Sequence, residues 1–488
     1  MVDYRAKAHS NQTLPEAQLT GARAVSHFAK GIGFFLFLIV GLLGCKIDFS
    51  GHAISYPVET DNKDFHPPVV YVVGNYPLAR ATGDFNSDGL LDVVVLNQLE
   101  TTAKNDAARV DQPGTISFLF NDGAGGFQVQ AGPSPGVRPS TLRVGDLNGD
   151  GRPDLVFLSD DAVTLTVLLN GEEGWSSASY PLNGTGADMV LVDLNGDSSA
   201  ALDVVIALSQ PEATLDPGHI QTFVNDGVGG LTMVASDIAN PSPDNTPVQL
   251  LAEDWNRDGL MDLAVRDGYR AEIAILIGAG DGNFSHGDGV HLELKKIGTD
   301  MIAVDLNNDG LKDLAVTSTA HASVTLFSND GNAGFAPLPQ SPYKVTEGDK
   351  GPEKLLAGTF SEKGPDLVLL HRSTKSIALL DGNGDGGFET IAVTVGYDPY
   401  NLVAADFNGD GHLDLILGER RDRALGLLSG NSKAGFERTV IGFLEPISPP
   451  LVADFDGNGL PDLLVIQPTT DELFYLRNCH PAPGAPCP

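Results

Sequence analysis

A nine-residue acidic loop returns along this 488-residue chain about every fifty residues, and no other feature narrows the fold as much. Intact copies begin at Asp84 (DFNSDGLLD), Asp146 (DLNGDGRPD), Asp254 (DWNRDGLMD), Asp305 (DLNNDGLKD), Asp406 (DFNGDGHLD) and Asp454 (DFDGNGLPD). A stretched copy starts at Asp193 (DLNGDSSAALD) and an eroded one at Thr359 (TFSEKGPD). Self-similarity at a fixed period signals stacked supersecondary units, each too small to bury its own apolar surface. Eight such units fill most of the chain.

Each unit carries further shared parts. An apolar run enters the loop (MIAVD, 301–305), a β-branched run leaves it (DLAVT, 313–317), and a third run follows a polar link (SVTLFSN, 323–329). Short alternating runs of this kind are strands. The third run ends in a glycine-rich turn closed by an apolar residue, as in NDGAGGF (121–127), NDGVGGL (225–231), GAGDGNF (278–284), NDGNAGF (329–335), GNGDGGF (382–388) and GNSKAGF (430–436). Such turns join antiparallel hairpins. The expected fold is all-β, a propeller of four-stranded antiparallel blades, eight in number with seven as the alternative. The last repeat supplies only three strands, so VVYVVG (69–74) is expected to complete it and close the ring.

Loop positions 1, 3, 5 and 9 bear oxygen side chains, and glycine at position 6 permits a tight reversal. Converging oxygens at this spacing suit a hard divalent cation, and calcium accepts six to eight of them with irregular geometry. The candidate ligands are Asp84, Asn86, Asp88 and Asp92; Asp146, Asn148, Asp150 and Asp154; Asp254, Asn256, Asp258 and Asp262; Asp305, Asn307, Asp309 and Asp313; Asp406, Asn408, Asp410 and Asp414; and Asp454, Asp456, Asn458 and Asp462. The stretched loop adds Asp193, Asn195, Asp197 and Asp203 as a weaker site, and the eroded loop is expected to hold no ion. The pattern is similar to the first half of an EF-hand, but position 12 of the first loop is Val95, inside a strand-like run, where that motif needs a glutamate.

With their glycine-aromatic turns, these loops resemble the FG-GAP or VCBS repeats of integrin α-subunit propellers and many bacterial surface proteins. The resemblance spans residues 66–478. It implies that each loop joins the innermost strand of a blade to the next and binds calcium, with a main-chain carbonyl at position 7 as a further ligand, giving about six to seven ions.

Composition agrees with that reading. The chain has 64 acidic and 30 basic residues, a formal charge of −34. That argues against nucleic acid and anionic lipid, which select basic surfaces. Part of the excess is an inventory of metal ligands, since each of the seven ligand-bearing loops holds three aspartates.

The N-terminus points outside the cytoplasm. GIGFFLFLIVGLLG (31–44) is an apolar run too short for a comfortable membrane span but suited to the core of a secretory signal. It ends in LLGC, which resembles the lipobox of bacterial lipoproteins and would make Cys45 the lipidated first residue, on a tether running to residue 65. An uncleaved anchor or a plain secretion signal is the alternative. In an oxidising compartment Cys479 and Cys487 are expected to pair across a Pro-rich tail, residues 479–488.

No catalytic constellation stands out: there is no GxSxG elbow and no phosphate loop. His286 and His291 read as part of a glycine-rich turn, and the run from Glu419 to Arg423 as a solvated hairpin tip. Binding fits better. The segments preceding each innermost strand open on one face, which places Tyr76, Arg138, Lys354, Tyr397 and Tyr400 on a shared rim of the kind that anchors partners. The expectation is a monomeric, membrane-tethered propeller that binds a protein or glycan. A carbohydrate-active enzyme on the same scaffold and a structural assembly component are the competing classes.

Overall fold

Each repeat folds into the sheet its pattern predicts. In blade 1 the strands Asn75–Gly83, Asp92–Leu99, Thr115–Asn121 and Phe127–Ala131 lie side by side in chain order, all antiparallel. This is a computed structural model in which residues 54–55, 65–99, 113–136, 138–159, 163–196, 201–209, 219–239, 247–345, 351–361, 363–394, 399–419, 424–430, 436–442 and 448–479 are described. All of them belong to one unit, Phe49–Pro488. The expected signal, Cys45, most of the tether, Asp197, Tyr397 and Cys487 lie outside the described residues.

Eight sheets form the ring. The second strand of each follows its leading aspartate with a run of apolar residues, and in blade 1 Val93, Val94, Val95 and Leu96 are all fully buried. Such strands are covered on both sides because every sheet stands between two others. Successive side chains point to opposite faces of a strand. Val94 and Leu96 accordingly pack with Leu142, Leu155 and Phe157 of blade 2, whereas Val93 and Val95 pack with Leu464, Ile466 and Tyr475 of blade 8. The hydrophobic core is therefore a set of inter-blade clusters. Each fully buried Val or Leu in them stabilises the ring by about 1.5–3 kcal/mol.

Blade 8 is made from both ends of the described chain. Leu451–Ala453, Asp462–Gln467 and Glu472–Leu476 are joined by Val69–Val72, with Val69 opposite Tyr475 and Val72 opposite Glu472. The expected closure is present, and the count is eight blades. Ile54–Ser55 adds a fifth strand here, and Tyr343–Lys344 adds one to blade 5. Among the described residues there is no α-helix, and no helix long and apolar enough to cross a membrane.

The strand order separates two faces. The acidic loops and the glycine-aromatic turns share one, here the loop face. The links from second to third strand and from blade to blade share the other, the link face. Two local expectations fail. His286 and His291 lie in the outer strand Phe284–Glu293, opposite Leu276 and Ala274, not in a turn. Glu419 is buried at the end of its strand, held by Arg438 Nη2 at 2.6 Å, and is not solvated, while residues 420–423 of that run lie outside the described residues.

Candidate metal loops and the link face

The loops are shaped by their own side chains. In blade 1, Asp84 turns back so that Oδ1 accepts the Asp88 N–H at 3.0 Å and Oδ2 the Gly89 N–H at 2.9 Å. Asn86 Nδ2 donates to Asp88 Oδ2 at 2.9 Å, and Asp88 Oδ1 accepts the Leu90 N–H at 2.8 Å. The position 1 contacts recur at Asp254, Asp305, Asp406 and Asp454. Gly89 at position 6 has φ +84°, the left-handed conformation anticipated for it. Position 4 is left-handed as well, and Ser87, Arg257 and Asn308 adopt it without being glycine.

Position 9 has a different task. Asp92 is fully buried; its Oδ2 accepts the Phe85 N–H at 3.0 Å and its Oδ1 the Asn121 N–H at 2.8 Å. One carboxylate thus clamps loop position 2 to the end of the third strand. Asp154, Asp203, Asp262, Asp313, Asp414 and Asp462 make the same pair of bonds in their blades. So does Asp366 in the eroded blade 6, accepting from Phe360 N–H and Gly382 N–H at 2.7 Å each. The clamp therefore persists where the aspartates and asparagines of positions 1, 3 and 5 have gone. In that loop Lys363 places its ammonium 3.1 Å from Asp381. Burial is the main cause that pushes the carboxyls of Asp92, Asp154, Asp262, Asp313, Asp414 and Asp462 up to about 6, and neighbouring loop aspartates add to it.

The third-strand residue that meets this carboxylate also joins blades. Asn170 Nδ2 donates to Phe85 O of the preceding blade at 2.9 Å, and Asn225 to Leu147 O at 2.6 Å. Asn329, Asn478 and Asn121 reach Trp255 O, Phe407 O and Phe455 O in the same way. The side chain at loop position 2 is buried in these blades, and at three blade junctions it meets the aromatic that ends the next blade's turn. Trp255 and Phe335 stand at 5.4 Å, Phe455 and Phe127 at 5.5 Å, and Phe360 and Phe436 at 6.2 Å, all edge to face. Sequence reading took the NDG turns for hairpin chemistry alone. The signal for the staple was the recurrence of asparagine at their first position.

Whether the loops suit a cation depends on convergence. Asp454, Asp456 and Asp462 bring one oxygen each within 4.8 Å of one another, the spacing of a metal cage. The side chains at positions 1, 3, 5 and 9 are the groups that would hold an ion there, and a bound ion would supply charge neutralisation. In the stretched loop Asp193 Oδ1 accepts the Gly196 N–H at 2.8 Å.

On the link face, Tyr76 and Arg138 occupy the same register of blades 1 and 2, both with positive φ. Lys354 of blade 6 stands 3.7 Å from Asp300 of blade 5. Tyr400 of blade 7 lies against Gly418, where an added Cβ would come within 2.8 Å of its ring. These four share a face but are spread around the ring. At the chain's end Cys479 is disulfide-bonded.

Comparison with known proteins agrees with this architecture. The FG-GAP-like repeat family matches at residues 84–157, 146–206, 254–316 and 363–417. No curated protein matches the chain. Among solved structures, the exotype rhamnogalacturonan lyase YesX is similar at 13% identity and TM-score 0.54, over 88% of this chain and 76% of that one. An Agrocybe aegerita lectin specific for non-reducing terminal N-acetylglucosamine is similar at 16% identity and TM-score 0.46, over 75% and 92%. The V. cholerae biofilm matrix protein Bap1 is similar at 12% identity and TM-score 0.42, over 89% and 91%. At 13% identity the likeness to YesX is one of fold alone. Repeats, loops and an eight-bladed ring together make this chain an FG-GAP repeat β-propeller.

Proposed function

We propose that the chain is a calcium-stabilised binding module, working outside the cytoplasm and presenting its link face to a protein or glycan. One observation carries this reading: of the eleven exposed large apolar side chains among the described residues, five stand on the face that the acidic loops leave open, against one, Val228, in a loop-face turn. Tyr76, Leu78, Val163, Tyr269 and Ile297 are between 40% and 67% exposed, and all stand on the link face, on blades 1, 2, 4 and 5. Aromatic and apolar groups placed this way are typical anchors for a partner.

In this reading calcium pins the loop face, and about six to seven ions offset the repulsion within the loops. The weak affinity of extracellular calcium modules suits a compartment where the ion is abundant. The lipobox-like LLGC ending at Cys45 supports tethering of a monomer to a membrane by acyl chains.

The test is capture of envelope components by immobilised propeller, with and without a chelator. Tyr76→Ala and Tyr400→Ala should weaken capture at least tenfold without lowering the melting temperature. Turnover of a glycan by the wild type would replace this reading with that of a carbohydrate-active enzyme.

A further inference from the structure

Repeats make exceptions visible. Counting back from the first loop residue, the fourth position of the inner strand is Leu142, Met189, Leu250, Met301, Leu355 and Leu402 in blades 2 to 7, every one of them buried. Blade 8 has Pro450 and blade 1 has Arg80. This register faces the preceding blade, as Leu142 shows by packing with Val94 and Phe118 of blade 1. Arg80 therefore faces blade 8.

A guanidinium has five N–H donors and stays charged at neutral pH. Among the described residues Arg80 has no salt-bridge partner, and its buried Nε has no hydrogen-bond acceptor. Other cations near the axis are satisfied. Arg143 Nη2 meets Asp188 at 2.9 Å, and Arg266 donates to Gln249 Oε1 at 2.9 Å and to Gly298 O at 2.8 Å. What sets Arg80 apart is a buried guanidinium nitrogen with no acceptor at all.

The surroundings of blade 8 are short of acceptors too. Its inner strand, Leu451–Ala453, has three residues where blade 1 has nine. The two residues before it are Pro449 and Pro450. Gln467, at the link-face end of its second strand, is 2% exposed, and its Nε2 has no acceptor. Burial lowers the Arg80 guanidinium to about 10, and Tyr400 of blade 7 acts on it in the opposite direction. Tyr400 and Leu78 are each the extra residue of a bulge in their inner strands, between Pro399 and Asn401 and between Pro77 and Ala79. Bulges re-aim side chains out of a regular pleat. Leu78 is 48% exposed.

We propose that the link-face mouth of the axis beside blade 8 binds an acidic sugar, a uronate whose carboxylate is taken by Arg80 and whose ring packs against Tyr400. The guanidinium fork matches a carboxylate in two hydrogen bonds. A flat phenol ring beside it suits the C–H face of a pyranose better than it suits a compact phosphate. The acidic loops do not oppose such a ligand, because they lie on the far face of the ring, and their field is screened over roughly 8–10 Å. The inference rests on the binding-module reading and names its ligand class.

The experiment is calorimetric titration of the calcium-loaded full chain with a trimer of galacturonic acid, its methyl ester, inorganic phosphate and a triglutamate peptide. The trimer should bind at least tenfold more tightly than the other three. Arg80→Leu should lose at least tenfold in affinity and melt no lower than wild type, since leucine fills this register in four other blades. Arg80→Lys should fall between the two. Unchanged binding by Arg80→Leu would overturn the assignment, as would an ester, phosphate or peptide that binds as well as the acid. If envelope capture persists while the trimer fails to bind, the acidic-sugar site is wrong and the binding module stands.

Discussion

Asn121 Nδ2 donates to Phe455 O at 2.6 Å across 334 residues of sequence, tying the first blade to the last. The same bond joins four other pairs of neighbouring blades, while Gly278, Gly382 and Gly430 hold the equivalent place in blades 4, 6 and 7.

Removing a staple leaves a buried carbonyl without its donor. Asn121→Ala should therefore cost about 1–3 kcal/mol of unfolding free energy, read from urea denaturation. Adding one should not help: Gly430→Asn would set a Cβ 2.2 Å from Leu413 O and should destabilise too. A stabilised Gly430→Asn would contradict the packing described.

The position 9 clamp and metal binding separate in blade 6. Asp366→Ala removes the acceptor of three buried backbone N–H groups and should cost roughly 3 kcal/mol or more, by the same amount with calcium and with a chelator. Asp92→Ala should cost more with calcium than without, because a cage ligand goes with the clamp. Paired melts of both variants in the two buffers decide this.

Chelation should loosen the loops, and pH should show the sign. In the metal-free protein the clamp carboxyls titrate near 6, above their unfolded value of 3.8. A raised carboxyl stabilises the fold below the unfolded value, and that contribution is lost as pH rises through about 6. Metal-free protein should thus become more stable as pH falls from 7 toward 4. Calcium-loaded protein should do the reverse, because protons expel the ion. Melting temperatures across that range, with and without calcium, test both slopes.

His371 runs the other way. It is fully buried, neither ring nitrogen has a partner, and burial lowers it to about 4 from an ordinary 6.5. The unfolded chain takes up its proton first, so stability is lost as pH falls from 6.5 toward 4, by about 2–3 kcal/mol in all. His371→Leu should remove that slope from the difference between the two proteins' denaturation curves.

Much of this was legible before any coordinates. The period favoured eight blades over seven, because a loop recurring at register with three strands around it marks one sheet per repeat, and the ring has eight. The shape of the acidic loops was legible because it is set by side chains and glycines within nine residues of one another. What escaped depends on neighbours. Phe335 meets Trp255 across a blade boundary about eighty residues away, and no local pattern says which face of a sheet is next to which. Glu419 looked solvated because its partner, Arg438, comes from another strand. Arg80 was overlooked because one basic residue in an inner strand means little until the eight registers are superposed.

Blade 8 imposes an order of events. Val69–Val72 is made early, and the strand that joins it to the rest of its blade, Glu472–Leu476, emerges from the ribosome some four hundred residues later. Throughout translation its edge is a row of open hydrogen-bonding groups. A chain cut short anywhere before residue 472 lacks the strand that covers that edge, so its ring stays unclosed.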